Sequence, residues 1–149
     1  LVAVVLVAAL ALQMTVQERD RIAAAQPALL PLLQQLCGPL QCTVGPPRQI
    51  ESVVVDGSTF SRLRGDAYRL SFTLRNQAAN EIAMPSIELT LTDAQDQPVV
   101  RRAFAPTEYA GGTADLARGI AAQGEAQVKM FIDASATTQA GYRLYLFYP

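Results

Sequence analysis

The sequence predicts a mainly β protein with an N-terminal membrane helix, a short juxtamembrane helix, and an antiparallel immunoglobulin-like β-sandwich of six or seven strands. Three observations lead to this prediction. Residues 1–12 consist only of Leu, Val and Ala. Leucines then recur at helical spacing as far as Leu36. From Val44 onward, apolar and polar residues alternate in short segments that are separated by turn signals.

The apolar run at the start of the chain predicts a transmembrane helix over residues 1–16. Its first twelve residues would cover only ~18 Å of a bilayer core that is ~30 Å thick. Because the chain begins with Leu, we expect that an N-terminal part of this helix is missing here. A signal-peptide core, with Ala9–Ala11 as its cleavage pattern, and a buried soluble helix are the alternatives. Neither Gly nor Pro occurs before Gln26, so we expect the helix to continue into water.

Residues 17–43 form the predicted juxtamembrane segment. Pro27 and Pro31 are tolerated in a first helical turn, so a second helix should start near one of them. Gly38 and Pro39 predict its end. The apolar stripe of this helix is a possible interface, either with the β domain of the same chain or with another protein. Its residues follow the spacing i, i+3, i+4, i+7, and they are Leu29, Leu32, Leu33 and Leu36.

Cys37 and Cys42 are the two cysteines of the chain, and they bracket the predicted helix end. Zinc would need two further ligands, and the sequence has neither a third Cys nor any His. We therefore predict no metal site here and favour a disulfide, with free buried thiols as the alternative and a redox-active pair as a more distant one. A disulfide would place this segment in an oxidising compartment.

Residues 48–149 form the predicted β-sandwich. Asp56-Gly57 is typical of a tight turn and predicts the end of the first strand. Arg64–Asp66 spells the integrin tripeptide, but Gly and Asp here indicate an ordinary turn. Residues 110–123 show neither period and predict a loop. The predicted strands are residues 50–55, 60–63, 68–74, 87–91, 98–104, 128–132 and 142–148.

Two places in this domain have a predicted structural or binding role. Arg101 and Arg102 are neighbours on a strand, so their side chains should lie on opposite faces. One of them should turn inward and pair with Glu108, which would hold the corner that ends at Tyr109. In the last strand, Tyr145 and Phe147 should point away from the core. We expect them either to be covered by the leucine helix of the same chain or to form a docking surface for a partner subunit or the membrane surface.

Composition excludes several classes of function. Without His, and with its Cys pair expected to be oxidised, the chain lacks the commonest general base and a free thiolate, so we predict no catalytic residues, no metal and no cofactor. The acidic residues, Glu88 and Asp93 among them, are expected on exposed faces or loops. A net charge of −1 offers no cationic surface for nucleic acid.

Several segments together carry a family resemblance. They are the apolar helix leading to Cys37 and Cys42, then Leu74–Asn76, Pro85–Asp93, Arg101–Tyr109 and Gly141–Pro149. With these segments the chain resembles the C-terminal domain of unknown function of proteobacterial zinc-ribbon-headed, single-span inner-membrane proteins. The zinc ribbon itself is absent here. The resemblance implies a single-pass protein of the bacterial inner membrane with its C-terminal domain in the periplasm.

From these observations we expect a non-enzymatic, membrane-anchored interaction protein. It would be an accessory or assembly subunit of an inner-membrane complex, with membrane lipid around its N-terminal helix and other inner-membrane subunits as its partners. The alternative is a ligand-binding envelope sensor that signals through its single span. A flat apolar surface would favour the subunit, whereas a pocket lined by aromatic side chains would favour the sensor.

Overall fold

The computed structural model describes residues 1–134 and 140–149, without the side chains of residues 113–115. The chain divides into two compact units, Leu1–Pro47 and Arg48–Pro149. The first unit is helical. Its elements are helix α1 (Val2–Gln17), helix α2 (Arg19–Ala25), a 3₁₀ turn (Pro27–Leu29) and helix α3 (Leu30–Leu40).

The expectation of one continuous helix as far as Gln26 is wrong, because α1 and α2 are bent by 70° at Glu18. The side chain of Arg19 explains how the break is stabilised. Its guanidinium donates to the carbonyls of Val16 and Thr43, both at 2.7 Å, and so supplies a donor to the last turn of α1, whose carbonyls have no partner within the helix. Among the described residues, neither α1 nor α2 alone is long and apolar enough to span a bilayer. The bent pair of helices together has the length and the apolar composition of a span.

Helix α3 continues one residue beyond the predicted Gly38–Pro39 end and contains Pro39 in its last turn. A proline there removes only one N–H donor close to the helix end, which explains why the helix tolerates it. The helix ends at Leu40, because Gln41 adopts a left-handed conformation with φ of 52°. The N–H of Cys42 then donates to the carbonyl of Cys37 at 3.1 Å.

The second unit confirms the prediction of a mainly β domain. It contains two antiparallel three-stranded sheets, with strand orders β1-β2-β5 and β4-β3-β6. Two short helices, α4 (Pro106–Tyr109) and α5 (Thr113–Arg118), lie between the fourth and fifth strands in the chain. The strands are β1 (Val53–Arg64), β2 (Ala67–Asn76), β3 (Ser86–Thr92), β4 (Pro98–Phe104), β5 (Glu125–Asp133) and β6 (Gly141–Phe147).

The predicted end of the first strand is wrong. Asp56-Gly57 does not end a strand but forms an irregularity within the long strand β1, where the register against β2 shifts between Val55 and Ser58. Gly57 has φ of +111°, a conformation that side chains disfavour, so the glycine permits this distortion without ending the strand. The hairpin turn lies instead at Arg64–Asp66, as predicted, with Gly65 at φ of +58°.

Alternation along β2 and β5 gives one buried face, as the sequence predicts. On β3, however, both faces are buried, including Thr90 and Thr92. The reason is that β3 is the central strand of its sheet, and Arg101 and Arg143 stand on either side of Thr90 in the neighbouring strands. Alternation alone could not distinguish a solvated face from one that long neighbouring side chains cover.

The two sheets share one apolar core, which makes the unit sandwich-like. Side chains of Leu70, Phe72 and Leu74 from the first sheet belong to the same cluster as Ile87 and Leu89 from the second. Tyr109 of α4 also belongs to it, and its ring meets that of Phe72 edge to face with centroids 6.0 Å apart. The core therefore fixes both sheets and the corner after β4.

Candidate functional site

The last strand, β6, carries the predicted outward-facing aromatic residues. Leu144 and Leu146 pack against the core from one face of the strand. Tyr145 lies on the other face, where 66% of it is exposed, while Phe147 is half-buried. Arg143, on the same outer face, forms an ion pair with Asp96. The outer face of β6 is therefore an aromatic surface whose charge is neutralised locally.

Three aromatic rings line a groove at one end of the domain, and the sequence analysis did not predict that they lie together. Phe60 and Tyr68 stack with centroids 4.9 Å apart and planes at 2°. Tyr142 tilts against Phe60 at 5.5 Å, and its hydroxyl lies 3.0 Å from that of Ser58. The groove has a volume of about 610 Å³ and is also lined by Arg62. The rings come from three strands in two sheets, so spacing along the chain gave no signal for them.

The corner after β4 is held by one of the two neighbouring arginines. The guanidinium of Arg102 lies 3.4 Å from a carboxylate oxygen of Glu108 and 4.6 Å from the centre of the Phe104 ring. Glu108 also accepts the N–H of Ala105 at 2.8 Å, which caps α4. Arg101 instead lies 3.3 Å from Glu88 on the other face of the sheet. The two arginines thus have different partners on opposite faces.

Two tyrosines, the buried Tyr109 and the half-buried Tyr148, fix the segment between β2 and β3. The hydroxyl of Tyr109 donates to the carbonyl of Pro85, and that of Tyr148 donates to the carbonyl of Ala83 at 2.6 Å. Burial raises the pKa of Tyr109 well above its ordinary value, and the nearby Tyr148 raises it further. Burial raises the pKa of Tyr148 to about 12, although the charge of Arg48 acts in the opposite direction. Both hydroxyls are therefore held as neutral donors.

Asn76 is a second structural centre that the sequence did not reveal. It is fully buried, and its amide nitrogen lies within 3.1 Å of the carbonyls of Asn80, Ile120 and Ala121. Its side-chain oxygen accepts the N–H of Ala78 at 2.9 Å. This one side chain connects the end of β2 to the segment before β5. An Asn at the end of a strand is common in turns, so its type alone gave no indication of this role.

In the helical unit, Cys37 and Cys42 form the predicted disulfide, with Cα atoms 4.7 Å apart. The leucine stripe of α3 is unequal in exposure. Leu33 is buried, whereas 55% of Leu32 is exposed. Leu29 and Leu36 are half-buried.

The acidic side chains of the β domain have local structural partners. Within residues 1–134 and 140–149, no three His, Cys, Asp or Glu side chains converge as a metal site would require. Asp93 accepts the N–H groups of Gln95 and Gln97 in its own loop, both at 2.9 Å. Glu88 and Glu108 pair with arginines, as described above. These acidic groups therefore serve local structure.

The fold and these surfaces define a two-sheet β domain attached in sequence to an apolar helical segment. Residues 50–146 match the family DUF3426, whose description is "Protein of unknown function". The chain belongs to this family. No curated protein and no solved structure matches it.

Proposed function

We propose that this chain is a non-enzymatic interaction protein that is anchored in the bacterial inner membrane by a single span and exposes its β domain to the periplasm. It would serve as an accessory or assembly subunit of a larger membrane complex. In this proposal the two sheets form an immunoglobulin-like sandwich. The resemblance to zinc-ribbon-headed proteobacterial membrane proteins supports this assignment, as does the Cys37–Cys42 disulfide, which needs an oxidising compartment.

The observation that carries the proposal is the composition and exposure of α1. Its sixteen residues include no charged side chain, and none of them is buried. Exposed residues lie all around the helix, among them Val2, Val4, Val5 and Leu10. A helix that is apolar on every side needs an apolar environment, which is either a protein core or a bilayer. Among the described residues of α1 none is buried, and this exposure supports lipid as the environment in the proposal.

The binding surface of the β domain in this proposal is the outer face of β6, and the exposed leucines of α3 are a separate candidate surface of the helical unit. Aromatic side chains supply much of the binding energy at protein interfaces, because they bury a large area and lose little conformational freedom. Tyr145 meets that description, being 66% exposed on a rigid strand. Arg143 beside it is paired with Asp96, so it would not oppose an apolar partner.

Co-purification in a mild detergent tests the proposal. We would compare the wild type with the double variant Tyr145→Ser/Phe147→Ser. Phe131→Ser is the matched control, because Phe131 is 72% exposed on the other sheet. We expect stoichiometric membrane partners with the wild type and the control, and their loss from the folded double variant. Partners that the double variant retains would contradict this surface, and a wild type without membrane partners would contradict the function.

The aromatic groove favours a second candidate, a ligand-binding envelope sensor. Stacked rings beside an arginine suit small aromatic compounds. Thermal shift of the full chain with such compounds tests this candidate. A sensor should be stabilised by a ligand, and Tyr142→Ala should abolish the shift. The absence of any shift, with partners found by co-purification, would favour the interaction subunit.

A further inference from the structure

Strand β6 lies at the edge of its sheet, and one of its two edges is free of strand pairing in the part of the chain that the structure describes. Among the described residues, β6 pairs with β3 alone, so its backbone N–H and C=O groups on the opposite edge have no strand beside them. Its side chains are apolar on both faces for most of its length. A strand edge of this kind is a template for pairing with another strand.

The other three edge strands each carry a feature that opposes such pairing. Strand β1 has register shifts on both sides of its central part. Strand β4 begins with Pro98 and carries two adjacent arginines. Strand β5 carries Lys129, the only lysine in the sequence, near its middle. Strand β6 has no Pro, no Lys and no register shift, and its one charge, Arg143, is paired with Asp96. Proline, lysine and bulges are the usual means of protecting an edge.

We propose that the β6 edge binds the β6 edge of a second copy of this chain. The two strands would run antiparallel about a two-fold axis, which joins the sheets into one of six strands in the order β4-β3-β6-β6-β3-β4. A two-fold interface must be complementary to itself. The register that pairs all of Gly141–Phe147 with its copy places Leu144 opposite the second copy's Leu144.

Every pair in this register is compatible. Arg143 lies opposite the second copy's Tyr145, so a cation meets an aromatic ring twice across the axis. Gly141 lies opposite Phe147 and leaves room for its ring. Tyr142 lies opposite Leu146 on the core-facing side. The two copies of Arg143 do not lie directly opposite each other, because Leu144 is the residue at the two-fold axis. This complementarity favours a second copy over an unrelated strand as the occupant.

The mass of the full chain in mild detergent, measured by size exclusion with light scattering, tests the proposal. We expect the wild type to have twice the chain mass of 16.0 kDa. Tyr145→Lys places two cations opposite each other and should weaken the dimer by about tenfold or more, since ~1.4 kcal/mol suffices for that factor. Tyr145→Glu places a carboxylate opposite Arg143 and should keep the dimer. Phe131→Lys, an equally exposed aromatic position on β5, should also keep it.

The two charge variants separate this contact from a general loss of folding. Within one chain, Tyr145 lies beside Glu88 of β3, so the lysine variant is the better tolerated in a monomer and the glutamate variant the worse. In the proposed dimer the order is reversed, so that Tyr145→Glu is the better tolerated variant and Tyr145→Lys the worse. A monomeric wild type, a dimer that Tyr145→Lys leaves intact, or a monomeric Tyr145→Glu would each overturn the proposal. A monomer that still co-purifies with other membrane proteins would leave the function proposed above standing.

Discussion

The hydroxyl of Tyr148 donates a hydrogen bond of 2.6 Å to the backbone carbonyl of Ala83. Two residues further along, the carbonyl of Pro85 accepts from Tyr109. Ile82, immediately before, exchanges backbone hydrogen bonds with Ile120 at 3.1 and 2.7 Å. Side chains from α4 and from the end of the chain therefore fix the segment that leads into β3.

The raised pKa of Tyr148 predicts a loss of stability at alkaline pH. Its pKa is about 12 in the folded protein, above the ordinary value of 10.0 that applies when unfolded. The contribution of the neutral Tyr148 hydroxyl to the free energy of unfolding is therefore complete below pH ~10. It is lost as the pH rises towards 12, because the unfolded state releases its proton first. We expect the melting temperature to fall in this range, and to fall less steeply in Tyr148→Phe.

At neutral pH the same variant should lose about 1 kcal/mol, the typical net value of one hydrogen bond. Tyr145→Phe is the control, because Tyr145 is 66% exposed and its change should leave both quantities unaltered. Thermal melts followed by circular dichroism from pH 7 to 12 measure both effects. Equal slopes for the wild type and Tyr148→Phe would show that this hydroxyl is not the group responsible.

Replacing Asn76 should be among the most damaging single changes in the β domain. Asn76→Ala removes the acceptor of the Ala78 N–H and the donor to the carbonyl of Asn80, and each unsatisfied buried group costs about 1–3 kcal/mol. Asn76→Asp should be at least as severe, because a carboxylate would face carbonyl oxygens. Urea denaturation measures the loss. Asn80→Ala is the control, because the Asn80 side chain donates an exposed hydrogen bond to the carbonyl of Glu81. An equally large loss of unfolding free energy in Asn80→Ala would refute the special role of Asn76.

Arg101→Gln and Arg102→Gln should have unequal effects. Arg102 contacts both Glu108 and the ring of Phe104, whereas Arg101 forms one exposed pair with Glu88. Exposed ion pairs contribute about 0–1 kcal/mol, and a cation over an aromatic ring adds about 0.5–1 kcal/mol. Arg102→Gln should therefore cost more, and a double-mutant cycle with Glu108→Gln should show coupling. Equal and negligible losses would mean that both side chains are merely solvated.

The Cys37–Cys42 bond should resist alkylation. Intact mass after iodoacetamide treatment, without reductant, should show no added groups, and two groups should be added after reduction. A loop this short should stabilise the helical unit by about 2 kcal/mol through chain entropy. Uptake of two alkyl groups by the unreduced protein would exclude the disulfide. It would also remove the support that the disulfide gives to a periplasmic location.

Alternation predicted most of the β domain well. Strand β4 was predicted with the bounds that the structure gives it, and β2 buries Leu70, Phe72 and Leu74 as expected. These patterns succeed because a strand with one buried face has a period of two residues. The error at Asp56-Gly57 has a physical cause, since the same dipeptide suits both a tight turn and a distortion within a strand. The choice depends on pairing with β2, where Val55 lies opposite Leu74, and the dipeptide itself does not specify that pairing.

Of the candidate surfaces, some follow from the local sequence pattern and others do not. The outward direction of Tyr145 follows from local alternation and was predictable. The aromatic groove and the contacts of Asn76 join segments tens of residues apart, so they depend on the assembled sheets. The bend at Glu18 was also missed, because it depends on a side-chain donor from Arg19 rather than on a helix-breaking residue.

Flotation of the full chain with phosphatidylethanolamine–phosphatidylglycerol vesicles tests the membrane anchor most directly. We predict that the wild type floats with the vesicles in high salt, because insertion of α1 depends on apolar contact rather than on charge. Leu6→Arg should remain at the bottom of the gradient, while Leu32→Arg, at an exposed leucine of α3, should float like the wild type. A wild type that stays at the bottom, or a Leu6→Arg variant that floats equally well, would contradict the anchor.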